Sequence, residues 1–132
     1  MEAMKIRILI VDDHQSFREA LKELFALQTD IEVVGEAQNG QEAIELSRKL
    51  RPDVILMDVK MPVMDGVEAT HRILAETPDR KILALSFYSD NGFVKDIMRA
   101  GALRYILKGA DFEELIAAIR KETALGNARL LQ

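Results

Sequence analysis

Five short apolar runs begin near Ile6, Ile31, Val54, Ile82 and Leu103, and the stretches between them carry apolar residues at helical spacing. That alternation predicts a β/α repeat. In Ile8-Leu9-Ile10-Val11, Val54-Ile55-Leu56-Met57 and Ile82-Leu83-Ala84-Leu85 every position is apolar, so both faces of these strands must be covered, as in a parallel sheet with helices on each side. Phe17, Leu21, Leu24 and Phe25 share one helical stripe, and Phe112, Leu115, Ile116 and Ile119 share another; both are expected to face the sheet. Asn39 with Glu42, Asp65 with Glu68, and Asp111 with Glu114 each place a capping oxygen three residues before a glutamate, which marks three helix starts. Gly101 and Gly126 read as helix stops. The expected division is one domain over residues 1–125 and a C-terminal stub over 126–132. Leu130 and Leu131 in that stub have nothing obvious to bury them, as at the start of a linker to an absent output domain.

A chain of 132 residues can bury one core without disulfides or a structural metal, so one compact unit is expected. No apolar run is long enough to span a membrane, and the N-terminus lacks the features of an export signal. With no cysteine, thiolate metal sites and cysteine nucleophiles are excluded, and a cytoplasmic protein is expected. The formal charge of -4 has the wrong sign for collecting nucleic-acid phosphates, which argues against direct DNA binding by this segment.

Ligands of open parallel sheets bind beyond the carboxyl ends of the strands, so the residues ending each run carry the most information. The first run ends in Asp12-Asp13, the third in Asp58, the fourth in Ser86 and the fifth in Lys108. Carboxylates within ~5 Å of one another repel by roughly 3 kcal/mol per pair at an effective dielectric near 20, so this group calls for a cation. Oxygen donors suit magnesium, which keeps several waters and shares its sphere with phosphate oxygens. Lys108 adds a mobile point charge and Ser86 a hydroxyl donor, both suited to phosphoryl oxygens. Taken singly, Asp12 and Asp13 could cap a helix, Asp58 could be a solvated turn residue, Ser86 a turn hydroxyl, Lys108 a surface lysine and Tyr105 a packing ring. Their shared order and spacing require all five coincidences at once.

Asp12-Asp13, Asp58 followed by Met61-Pro62-Val63-Met64-Asp65-Gly66, then Ser86, Tyr105 and Lys108 resemble a two-component response-regulator receiver domain over residues 5 to 122. The wording from Asp13 to Arg18 and from Arg99 to Lys108 is most similar to NarL/LuxR-type regulators, which usually carry a C-terminal helix-turn-helix. The resemblance implies a flavodoxin-like doubly wound five-stranded parallel sheet, (βα)5, in the order 2-1-3-4-5. It implies that Asp58 takes a phosphoryl group from a histidine kinase in a magnesium-dependent reaction. Asp13, Asp58 and the backbone carbonyl of Lys60 would hold the ion directly, with Asp12 acting through coordinated water. Lys108 and Ser86 would bind the phosphoryl group, Ser86 and Tyr105 would form the switch, and transcription would be controlled in a longer parent protein. A sensor histidine kinase is the implied partner. A homodimer through the face around the fourth helix, last strand and last helix, or through another helical face, is the second. The chain departs from the family twice. Gly109 follows Lys108 where many members have proline after a cis bond, and a cis non-proline bond costs about 2.5 to 4 kcal/mol, so the isomer stays open. Phe87 stands where a small residue is common, which predicts limited access to the phosphoryl group and slowed hydrolysis.

Other readings are weaker. A haloacid-dehalogenase-type phosphohydrolase would need an acid two residues after the nucleophile, and Lys60 stands there, so enzymatic turnover is not expected beyond self-phosphorylation and slow autodephosphorylation. A flavin carrier would need a Ser, Thr and Gly-rich loop in place of Asp12-Asp13-His14-Gln15. A receiver that signals without phosphorylation stays open. His14 and His71 lie in no metal-ligand spacing and read as ordinary polar or helix-surface residues.

Overall fold

A computed structural model describes residues 4–89 and 91–123. The elements alternate strictly: β1 (Ile6–Val11), α1 (Gln15–Phe25), β2 (Ile31–Ala37), α2 (Gly40–Leu50), β3 (Val54–Met57), α3 (Gly66–Glu76), β4 (Ile82–Ser86), α4 (Asn91–Ala100), β5 (Arg104–Leu107) and α5 (Phe112–Glu122). The strands form one parallel sheet in the order β2-β1-β3-β4-β5, so the implied topology and the five-strand count are both found. Leu130, Leu131 and Gly126 lie outside the described residues.

The consecutive apolar runs divide between two cores, as the period of a strand demands. Ile8, Ile10, Val54, Leu56, Leu83 and Leu85 face α1 and α5, where they meet Leu21, Phe25, Leu115, Ile116 and Ile119. Their neighbours Leu9, Val11, Ile55, Met57, Ile82 and Ala84 face α2, α3 and α4, against Ala43, Ile44, Ala69, Ile73 and Ile97. Phe112 is only partly buried and tilts against Phe25, with ring centroids 5.1 Å apart.

Three local expectations need adjustment. Asn39 and Asp65 cap α2 and α3 by accepting the N–H groups of Glu42 and Glu68, but the Asp111 side chain makes no such bond; its backbone carbonyl accepts from Glu114 instead. Leu24 is exposed, because it lies at the margin of the stripe that buries Leu21 and Phe25. Leu103 precedes the last strand and is exposed, as is Leu107, because β5 is an edge strand in which Ile106 alone is buried. Gly101 ends α4 with φ +119°, a conformation that side chains with a Cβ rarely adopt. Among the described residues no helix is long and apolar enough to cross a membrane.

Candidate functional site

Hydrogen bonding past the strand ends fixes the rim. The Asp12 N–H donates to the Ala37 carbonyl at 2.9 Å, the Asp58 N–H to Val11 at 2.9 Å, and the Lys108 N–H to Ser86 at 2.8 Å. Asp12, Asp58 and Lys108 therefore sit one step beyond their strands while still tied to the neighbouring strand, and Ser86 is the last residue of β4. Since Val11 pairs with Met57, Asp12 and Asp58 emerge side by side where the strand order reverses about β1. Gly66 is what lets α3 start against this point. A Cβ there would lie 1.9 Å from the Asp58 carbonyl oxygen, and the Gly66 N–H donates to the Val59 carbonyl at 2.7 Å.

The carboxylates meet as expected. One ligand atom each from Asp12, Asp13, His14 and Asp58 falls within 4.8 Å of the others. Asp12 and Asp58 are buried, and Lys108 reaches both, with Nζ 2.5 Å from Asp12 Oδ2 and 3.5 Å from Asp58 Oδ2. Neither Asp12 nor Asp13 is the cap of α1, a position held by His14; Asp12 Oδ1 instead accepts the His14 N–H at 2.9 Å. Asp58 Oδ1 accepts from the Val59 N–H at 2.9 Å. Burial, and then the nearby Asp12 charge, push the Asp58 carboxyl up to about 7, against the opposing pull of Lys108. Asp13 Oδ1 is buried and, among the described residues, has no hydrogen-bond partner. An orphaned oxygen beside two crowded carboxylates is the donor set that a hard divalent cation satisfies.

Ser86 is fully buried, and its hydroxyl accepts from the Tyr88 N–H at 3.1 Å. The Tyr105 ring is half-buried against the α2–α4 core, and its hydroxyl donates to the Tyr88 carbonyl at 2.5 Å. Tyr88 thus joins the two expected switch residues through both of its backbone groups, a role no sequence pattern announced. Lys60 follows Asp58 by two residues; its exposed side chain holds Nζ over the rings of Tyr88 and Phe93, at 5.3 and 5.0 Å from their centroids. The Lys108–Gly109 bond is trans.

The plain reading of His14 needs correction. Its Nδ1 lies 3.2 Å from Asp12 Oδ1 and 3.4 Å from Asp13 Oδ1, so it borders the acidic cluster, brought there by the turn into α1 and not by any ligand spacing. His71 is not part of that cluster and lines a groove between α3 and α4. Arg18 was also missed; it donates to the Asp12 carbonyl at 2.5 Å and to Glu36, bracing the first loop from α1.

Residues 8–120 match the family model described as the response regulator receiver domain. The chain belongs to that family. Similar curated proteins include the transcriptional regulatory protein DegU of Brevibacillus brevis, 45% identical over 94% of the chain and 52% of that protein. Another is the transcriptional regulatory protein LiaR of Bacillus subtilis, 46% identical over 87% of the chain and 54% of that protein. The receiver domain therefore spans about half the length of the curated relatives it matches. Among solved structures, a LuxR-family two-component response regulator from Aurantimonas sp. SI85-9A1 superposes with a TM-score of 0.83 at 34% identity, over 88% of this chain and 83% of that one. The response regulator domain of Thermotoga maritima CheB gives 0.82 at 34% identity, over 89% and 96%. The receiver is a signalling domain of the NarL/LuxR type, and the phosphohydrolase alternative is not favoured.

Proposed function

We propose that Asp58 accepts a phosphoryl group from the phosphohistidine of a sensor histidine kinase, and that the receiver thereby controls transcription in a longer cytoplasmic protein. The observation that carries this reading is the rim itself: three carboxylates gathered from two strand tips, two of which, Asp12 and Asp58, pair with the ammonium of Lys108. In the transfer an Asp58 carboxylate oxygen forms the new O–P bond while the N–P bond of the phosphohistidine breaks, its electron pair returning to the imidazole nitrogen. Asp13, Asp58 and the Lys60 carbonyl would hold magnesium, with Asp12 acting through coordinated water. Bound there, the ion would offset the charge on the carboxylates and on the phosphoryl oxygens.

The chain's own residues supply the rest. Lys108 is poised to leave Asp12 for a phosphoryl oxygen, exchanging one charge-assisted bond for another. Ser86 has its hydroxyl proton to donate to a second oxygen, and a swing of the side chain toward that oxygen would disturb the bond from the Tyr88 N–H and, through Tyr88, the hold on Tyr105. The phosphoryl charge is thereby converted into a rearranged surface around β4, α4 and β5. That surface carries exposed Met98, Leu103 and Leu107, which suits pairing with a second copy through α4, β5 and α5. Lys60 stands where a hydrolase would place its acid, so the activity is limited to self-phosphorylation and slow autodephosphorylation.

Intact mass after treatment with acetyl phosphate tests the reading. One added phosphoryl group is expected with magnesium, none without it, and none in Asp58→Asn. Equal uptake in the variant, or uptake independent of the ion, would end the assignment.

A further inference from the structure

Phe87 is a large apolar ring left 64% exposed directly beside the buried Ser86, while the Lys108 side chain nearby is only 1% exposed. These two facts belong together. The Lys108 ammonium lies 4.5 Å from the centroid of Phe17 and 4.8 Å from that of Phe87, and the two rings tilt toward each other with centroids 6.1 Å apart. Among the described residues its charged partners are the two carboxylates, Asp12 and Asp58. The head of Lys108 is therefore enclosed by anionic oxygens and by two electron-rich ring faces.

We propose that Phe17 and Phe87 are positioning residues for phosphoryl transfer, an aromatic clamp that keeps the Lys108 ammonium at the height of Asp58 when the carboxylates are committed elsewhere. The proposal rests on the phosphoacceptor reading above. Its physical basis is the difference between the two kinds of partner. Asp12 and Asp58 are the groups the reaction occupies, one beside the cation site and the other as the atom donor, so their hold on Lys108 loosens when it is needed. The rings take no part in the chemistry and attract the ammonium in every state. Lys108 also lines an apolar cavity of about 110 Å³ between α1 and α5 together with Leu21, Leu24, Leu85 and Leu115, so packing on that side of the residue is incomplete. The two jaws come from different elements, since Phe17 belongs to α1 and Phe87 follows Ser86 at the end of β4, on the loop that the proposed switch would move.

A steric lid is the competing role for Phe87, and the direction of the rate separates the two. Phe17→Leu and Phe87→Leu keep the apolar volume but remove the ring face. Acetyl phosphate labelling of Asp58 is expected to slow about tenfold in each, with the magnesium concentration for half-maximal rate unchanged. Phe87→Tyr, which keeps the ring, is expected to stay within about twofold of wild type. In metal-free protein without a phosphodonor, the Lys108 ε-methylene protons should show an upfield ring-current shift that shrinks in both Leu variants and persists in Phe87→Tyr. Because Phe87 is exposed, its variant folds independently of what happens to Phe17. Wild-type or faster labelling in Phe87→Leu, or a Lys108 shift that does not respond to either ring, overturns the clamp. Absence of labelling in the wild type is the separate failure of the phosphoacceptor reading, and takes the clamp's purpose with it.

Discussion

Two lysines flank Asp58, each with its ammonium over a pair of aromatic rings, at 4.5 and 4.8 Å for Lys108 and at 5.3 and 5.0 Å for Lys60. The contact type is shared, but the surroundings are not. Lys108 is enclosed and divides its charge between Asp12 and Asp58, whereas Lys60 is exposed on the loop after β3. Coulomb attraction at 3 to 4 Å is worth several times more at the low effective dielectric of a buried site than in water, and a cation–ring contact strengthens in the same way. Nearly equal distances therefore hide unequal energies. Lys108 is part of the charge balance of the site, while Lys60 joins the loop after β3 to one ring on the loop after β4 and one on α4.

The sharpest test of that contrast is removal of each ammonium in turn. Lys108→Met leaves Asp12 and Asp58 facing each other without a counter-charge, so urea unfolding at about pH 8 in metal-free buffer should show a loss of about 3 kcal/mol. Its labelling by acetyl phosphate should fall about a hundredfold, the scale of losing one donor to a developing charge. If Lys108→Met is no less stable than Lys60→Met, the two lysines are equivalent and the contrast dissolves.

A pH series sharpens the same point from the side of the acid. Burial and the Asp12 charge push the Asp58 carboxyl up to about 7 from the ordinary aspartate value of 3.8, so between those values the folded state keeps a proton that the unfolded state has released. Stability contributed by this group is then present at low pH and declines as pH rises through that window, the reverse of an ordinary salt-bridged aspartate. Asp58→Asn should match wild type near pH 4 and exceed it by roughly 2 kcal/mol near pH 8, in metal-free buffer. A difference that stays constant across the range would mean that burial and Asp12 do not strain the carboxylate.

On the Lys60 side the effects should be smaller. Tyr105→Phe removes the donor to the Tyr88 carbonyl and is expected to lower stability by about 1 kcal/mol, with amide shifts concentrated from Ser86 to Ser89. Shifts confined to β5 would show that Tyr105 and Ser86 are not joined through Tyr88. Lys60→Ala should change stability by less than about 0.5 kcal/mol, as expected for an exposed cation over rings. A larger loss would place Lys60 in the same regime as Lys108.

Much of this was legible before any coordinates. The wholly apolar runs at Ile8, Val54 and Ile82 required a sheet covered on both sides, because a strand alternates its faces residue by residue and neither face was polar. The capping oxygens of Asn39 and Asp65 set the helix phase correctly, while Asp111 carried the same letter pattern without the bond. A cap is a matter of one torsion, which residue identity biases but does not set. The acids, hydroxyl and lysine at the run ends were visible as a set, since strand ends of a parallel sheet all open on one rim.

What the chain's letters could not contain was distance between side chains. His14 and Arg18 entered the site through the turn into α1, Tyr88 through its backbone groups, and Phe17 and Phe87 by converging from different elements on one ammonium. Hydrophobic period and strand-end chemistry are local properties, written in consecutive residues, and they specified the sheet, its helices and its reactive rim. The pairing of ring with cation and the crowding that lifts Asp58 depend on the placement of groups as far apart along the chain as Asp12 and Lys108, and only the packed sheet, with the tips of β1, β3 and β5 tied one residue beyond the strand, decides that.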